Sequence, residues 1–204
     1  MFSLISYEVG GQKTRYHDLS VQAGDFVVGL GSANGGGCVL YCRNVPANLL
    51  FTWADSNGYT RTSVWKISAS GTARVEQDGQ GNNWDHIFAV IRPQISHPAW
   101  KVQHFYNPSG YTAEFDVESG RIVLVQMYCT SGRLPNGIQS SGVSCEVLVN
   151  VLPEGSSSPG NSREIILRTL GSGRLTLSAE GQGILHVCFL DPAGLVLSDD
   201  FLFV

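Results

Sequence analysis

The stretch SGTARVEQDGQGNNWDHIFAVIRP (residues 70–93) decides how this chain reads. Its first third alternates: Ala73 and Val75 fall on one face of a strand, Arg74 and Glu76 on the other, the period-two pattern of a half-buried sheet. A cluster of Gly, Asn and Asp then breaks the strand, and the apolar run HIFAVI leads into Pro93. The same succession returns at 172–192 as SGRLTLSAEGQGILHVCFLDP. There Leu175 and Leu177 stand for Ala73 and Val75, Thr176 and Ser178 for Arg74 and Glu76, and the apolar strand ends at Pro192. Upstream in each half lies a matching turn-to-strand step, VQAGDFVVGL from Val21 and VESGRIVLVQ from Val117. Two copies of one β-rich unit, an internal duplication, are expected.

The rest of the chain agrees. Short apolar runs rich in Val, Ile, Phe and Tyr are separated by turn clusters such as GSANGGG, ADSNG, NPSG and EGSSSPGNS, roughly every 8–14 residues. Strands are expected at 2–9, 25–30, 38–43, 49–53, 59–67, 72–76 and 86–92 in the first half. In the second they are expected at 99–106, 111–117, 121–128, 145–152, 163–169, 174–178, 184–190 and 200–204. No helical period intervenes, which argues against parallel βαβ units. The fold class is therefore all-β: two tandem antiparallel β-sandwiches, jelly-roll-like, over 1–95 and 111–204. Between them, 96–110 reads as a Pro/aromatic linker whose segment PAWKVQHFY could bridge the halves as a strand.

Of 204 residues, 15% are charged, against a usual ~25%, and 24 are Gly without a collagen period. The net charge of −4 offers no cationic surplus, so nucleic acid is not an expected partner. Lysine is rare (Lys13, Lys66, Lys101) and arginine carries most of the positive charge, a bias suited to interfaces. No apolar run is long enough for a transmembrane helix, and MFSLISYEVGG lacks the cationic start of a signal peptide, so synthesis in the cytoplasm without membrane insertion is expected. The five cysteines form no CxxC pair. Cys38 and Cys42 would lie roughly 13 Å apart along one strand, too far for a disulfide. Buried free thiols are expected, and no local His spacing suggests zinc or any other cofactor.

Catalytic patterns are equally sparse. His17-Asp18 and Asp85-His86 are sequence neighbours, but adjacent strand residues face opposite ways, so surface or capping roles are expected for them. There is no G-x-S-x-G elbow and no H-E-x-x-H. The serines at 155–162 read as a loop, GSANGGG lacks the Lys and helix of a phosphate cradle, and DGQGNNWD lacks the ligand spacing of a calcium loop. Trp53 and Trp65 sit in alternating strands and are expected in the core. Trp84, after a Gly/Asn loop, and Trp100, in the linker, are better placed for exposed contacts, with Tyr106 beside them. Terminal strands carrying Phe2 and Leu4 at one end and Phe201 and Phe203 at the other must pair or be covered, and are expected at inter-subunit edges.

The Val-x-x-Gly-Asp step into an apolar strand, the mid-domain Thr52-Trp53 and the apolar strands ending Arg-Pro or Asp-Pro resemble small all-β accessory proteins of tailed-bacteriophage virions, capsid decoration or tail and fibre components. That resemblance implies a non-enzymatic structural role in the virion, with other virion proteins as partners. Homo-oligomerisation is expected too, a trimer presenting six similar halves. It carries no catalytic residues. A carbohydrate-binding, receptor-recognition module is the competing expectation, with Trp84, Trp100 and Tyr106 stacking on a host surface glycan. A glycan hydrolase using Asp78, Asp85 and Glu180 is a weaker one.

Overall fold

The computed structural model describes residues 2–11, 14–33, 36–56, 58–79, 84–95, 100–107, 112–128, 138–151, 162–179 and 184–192. These carry sixteen strands and no helix. The first eight are β1 (Phe2–Gly11), β2 (Tyr16–Val21), β3 (Phe26–Ala33), β4 (Val39–Arg43), β5 (Ala47–Ala54), β6 (Thr60–Ile67), β7 (Gly71–Asp78) and β8 (Trp84–Pro93). The second eight are β9 (Trp100–Asn107), β10 (Thr112–Val117), β11 (Ile122–Tyr128), β12 (Ile138–Ser141), β13 (Cys145–Val151), β14 (Ser162–Thr169), β15 (Gly173–Ala179) and β16 (Ile184–Pro192).

All-β sandwiches are what the chain forms. Each half builds a five-stranded and a three-stranded antiparallel sheet, ordered β1-β8-β3-β6-β5 with β2-β7-β4, and β9-β16-β11-β14-β13 with β10-β15-β12. Counted from the start of each half, the two orders are identical. Within 96–110, the segment Trp100–Asn107 is β9, the edge strand paired to β16, so the second half's sheets begin at Trp100.

The agreement extends to detail. Gly24 and Gly120 hold positive φ (92 and 79) in equivalent turns before β3 and β11. The amides of Ala23 and Ser119 donate to Ser70 Oγ and Ser172 Oγ, each at 3.0 Å. A β-bulge interrupts β5 between Leu49 and Phe51, and another interrupts β13 at the same place, between Val147 and Val149. One pair is inverted. Buried Asp25 accepts two hydrogen bonds from Arg92 at 2.7 and 2.9 Å and one from the Gln22 amide at 2.8 Å. The register puts Arg121 at Asp25's position and Asp191 at Arg92's, the two signs exchanged.

The halves are fused face to face. Val27, Phe88 and Val90 pack with Leu19, Val21, Ala73 and Val75 of the first three-stranded sheet. The alternate residues Phe26, Val28, Leu30, Ala89 and Ile91 pack instead with Ile122, Leu124, Ile166, Cys188 and Leu190 of the second five-stranded sheet. Val123, Val125, Leu185 and Phe189 then face Phe115, Val117, Leu175 and Leu177 of the last sheet. Four layers of three, five, five and three strands thus enclose three cores. Both faces of the inner sheets are buried, which is why all eight residues of β3 are buried. The outer strand β7 keeps one wet face, with alternating burial along Gly71–Asp78.

Because the central core belongs to both halves, unfolding by urea is expected to be one transition whatever half a probe reports on. Phe26→Ala, at the centre of that core, should lower stability by about 3–5 kcal/mol and shift both halves' signals together. Two separable transitions would contradict the shared core.

Candidate functional site

Where the two halves depart from each other, polar side chains stand in place of core residues. Two such places flank the end of β3. The first lies between the five-stranded sheets. Gln126 on β11 donates from Nε2 to Gly31 O at 2.8 Å, leaving its Oε1 to the Thr62 hydroxyl at 3.3 Å. Thr62 Oγ1 also meets His186 Nδ1 at 3.1 Å. With the Thr62 proton given to Gln126, His186 donates from Nδ1, and its Nε2 is left buried without a partner. The imidazole stacks on Trp53, ring centroids 3.9 Å apart, with His104 at 5.9 Å. Buried Glu164 lies in register with Gln126 on the neighbouring strand. The first half has Ile87, Leu30 and Thr62 where the second has His186, Gln126 and Glu164.

The second place lies in the core between the first half's two sheets. His17 on β2 and His86 on β8 bring their Nε2 atoms to 3.0 Å. Gln77 fixes the tautomer. Its Nε2 donates to Ser32 O at 2.6 Å, so Oε1 accepts from His86 Nδ1 at 2.7 Å, and His86 Nε2 is an acceptor for the His17 proton. Glu8 Oε2 stands 3.7 Å from the remaining nitrogen, His17 Nδ1. Gly10 closes over the pair: a side chain there would strike both Nε2 atoms and the Thr14 carbonyl oxygen.

This corrects the surface or capping roles expected for the two His–carboxylate neighbours. Asp18 does turn away, onto Arg74 at 2.9 Å, but His86 is buried and the two imidazoles find each other across 69 residues of sequence. The pairing was invisible locally, because a contact between opposite sheets has no sequence spacing. The one-residue offset between the two histidines of β8 and β16 was visible. Aligned on Pro93 and Pro192, His186 matches Ile87, so the two point to opposite faces, His86 into the outer core and His186 into the central one.

Of the residues singled out from the sequence, Trp100 is half-buried against Phe2 and Phe26, at ring distances of 5.1 and 5.4 Å. Phe2 is buried and Leu4 packs beside it in the central core, although β1 itself is a sheet edge. Trp65 is in the core and Trp53 is half-buried on His186. The backbones of Trp84 and Tyr106 pair with Ala33 and His186, while their side chains lie outside the described residues, as do Phe201, Phe203 and Glu180. Asp78 is exposed and bonds the next amide, Gly79 N, at 2.9 Å, while Asp85 is half-buried on β8. Cys38, Cys42, Cys145 and Cys188 are free, with burial raising the Cys38 thiol to about 12 and Cys42 to about 11, which leaves both unreactive at neutral pH. Among the described residues no three His, Cys, Asp or Glu side chains are grouped as a metal site.

Burial sets how stability responds to pH. Burial, with the neighbouring histidine adding to it, lowers His86 and His186 from 6.5 to about 3, so between these values the unfolded chain binds a proton at each that the folded protein does not. Each therefore removes stability as pH falls, by about 1.4 kcal/mol per pH unit. Asp85 acts oppositely: burial raises it from 3.8 to about 7, so the folded state holds the extra proton and gains as pH falls. Between pH 4.5 and 6, Asp85→Asn should steepen the stability–pH slope by about one proton, and His186→Phe should flatten it by about one, read from urea midpoints. Equal slopes in all three proteins would refute these environments. No protein-family model matches the chain, and no curated protein and no solved structure is found to be significantly similar to it.

Proposed function

We propose that the protein is a non-enzymatic structural subunit that assembles with copies of itself through the edges of its first five-stranded sheet. The observation that carries this is β1, among the described residues a ten-residue edge strand with Ile5, Tyr7 and Val9 exposed at 43%, 46% and 39%. Its only charged residue is Glu8, where an unpaired edge is ordinarily guarded by charge, proline or brevity. The opposite edge of the same sheet, β5, exposes Leu49 and Leu50. A head-to-tail contact of β1 on β5 of the next copy would continue the sheet and cover both apolar strips. Closure at three presents six topologically equivalent halves, a shape suited to a six-fold or pseudo-six-fold site.

The resemblance to accessory proteins of tailed-phage virions supplies the setting: a subunit made in the host cytoplasm and mounted on a capsid or tail beside other virion proteins. The matching strand orders, turns and bulges of the two halves support an origin by duplication of one nested, jelly-roll-like unit.

Light scattering across a concentration series is expected to give a trimer. Tyr7→Lys should raise its dissociation constant at least tenfold while the circular dichroism stays unchanged. A strict monomer at all concentrations would overturn self-assembly, and a dimer would overturn the head-to-tail contact in favour of β1 pairing with itself.

A further inference from the structure

The second half shows what this fold requires at the positions of Glu8, His17, Gln77 and His86. By register the counterparts are Phe105, Ala113, Ala179 and Leu185, and Phe105, Ala113 and Leu185 belong to one apolar core cluster. The scaffold is thus complete with apolar residues there, and the first half has replaced them with a polar chain running from exposed Glu8 through partly buried His17 to buried His86 and Gln77, whose burial alone is unfavourable. Something other than packing accounts for it.

The geometry points to a binding site for a single divalent late-transition ion, of the zinc or copper class, held between His17 and His86. Both imidazoles present Nε2 to the same spot, and both have Nδ1 facing an acceptor, Gln77 Oε1 at 2.7 Å and Glu8 Oε2 at 3.7 Å. That is how metal-bound imidazoles are oriented by their outer partners. The Nε2 atoms are 3.0 Å apart, and an ion with Zn–N bonds of about 2.0–2.1 Å needs them only slightly wider. The Thr14 carbonyl oxygen is available on the same side, since a Cβ built on Gly10 would stand 2.5 Å from both His17 Nε2 and Thr14 O and would also strike His86 Nε2, so the three atoms border one small space next to Gly10. Gly10 keeps this spot free of a side chain. The His17 ring retains 10% exposure, an access for the ion and for water as the remaining ligand.

Binding balances without any co-reactant. In the metal-free protein one proton lies between the two Nε2 atoms. When the ion arrives, neutral His17 moves that proton to Nδ1, towards Glu8, and both Nε2 lone pairs turn to the metal. His86 needs no change, because Gln77 already holds its proton on Nδ1. Imidazole nitrogen with one carbonyl oxygen favours zinc, copper or nickel over calcium or magnesium.

Zinc titration by calorimetry at pH 7.5 is expected to show one site per chain. Cobalt substituted for zinc should develop visible absorption from a nitrogen-ligated centre. His17→Gln and Gly10→Ala should each weaken zinc at least tenfold, the second without removing any ionisable group, and Gln77→Leu should weaken it 10–100-fold through the orientation of His86. His104→Gln, outside the site, should leave affinity unchanged. Zinc binding that survives both His17→Gln and Gly10→Ala in folded protein would overturn the assignment, as would calorimetry showing no binding up to millimolar zinc.

Discussion

The burial of two five-stranded sheets against each other is the constraint on which the rest of the molecule depends. Each inner sheet must be apolar on both sides, so β3, β8, β11 and β16 are close to continuous runs of Val, Ile, Leu and Phe. With their two faces committed, these sheets leave only their edges and strand ends for anything else. Two of the polar groups that do enter, Gln126 and Gln77, donate to the carbonyls of Gly31 and Ser32 at the end of β3. Free thiols fill the remaining small spaces, Cys38 in the outer core and Cys188 in the central one.

Two halves with one strand order provide an internal comparison that a single domain lacks. Where both halves agree, as at the Gly24 and Gly120 turns and the β5 and β13 bulges, the fold itself sets the residue or the geometry. Where they differ in chemistry at one position, the fold has left a choice open. The salt bridge of Asp25 with Arg92 against the exchanged signs at 121 and 191 is such a choice, and so are the two histidine clusters.

Much of this was written locally in the sequence. Alternation at Ala73–Arg74–Val75–Glu76 marks an outer strand, and the unbroken HIFAVI beside it marks an inner one; that contrast carries the four-layer arrangement. The repeat aligned on Pro93 and Pro192 matches the pairing register, each proline standing opposite the first residue of its half's leading strand, apart from a bulge in β1 between Leu4 and Ser6 that β9 lacks. What could not be read was which apolar face meets which, since any two apolar faces satisfy the same pattern. For that reason Trp100 read as a surface contact although it lies against Phe2 and Phe26, and His17 and His86 read as capping residues. Side chains that meet between separate sheets leave no periodic trace.

The central core joins the matching faces of two topologically equivalent sheets, as the core of a dimer interface would, yet they lie on one chain with only a few residues between Ile95 and Trp100. Association that would otherwise depend on concentration has become intramolecular, at an effective concentration on the order of millimolar for a short tether. The central interface can therefore tolerate buried polar groups such as His186 and Glu164 that a freely dissociating pair would be too weak to retain. Tethering leaves its chemistry free to vary from one half to the other.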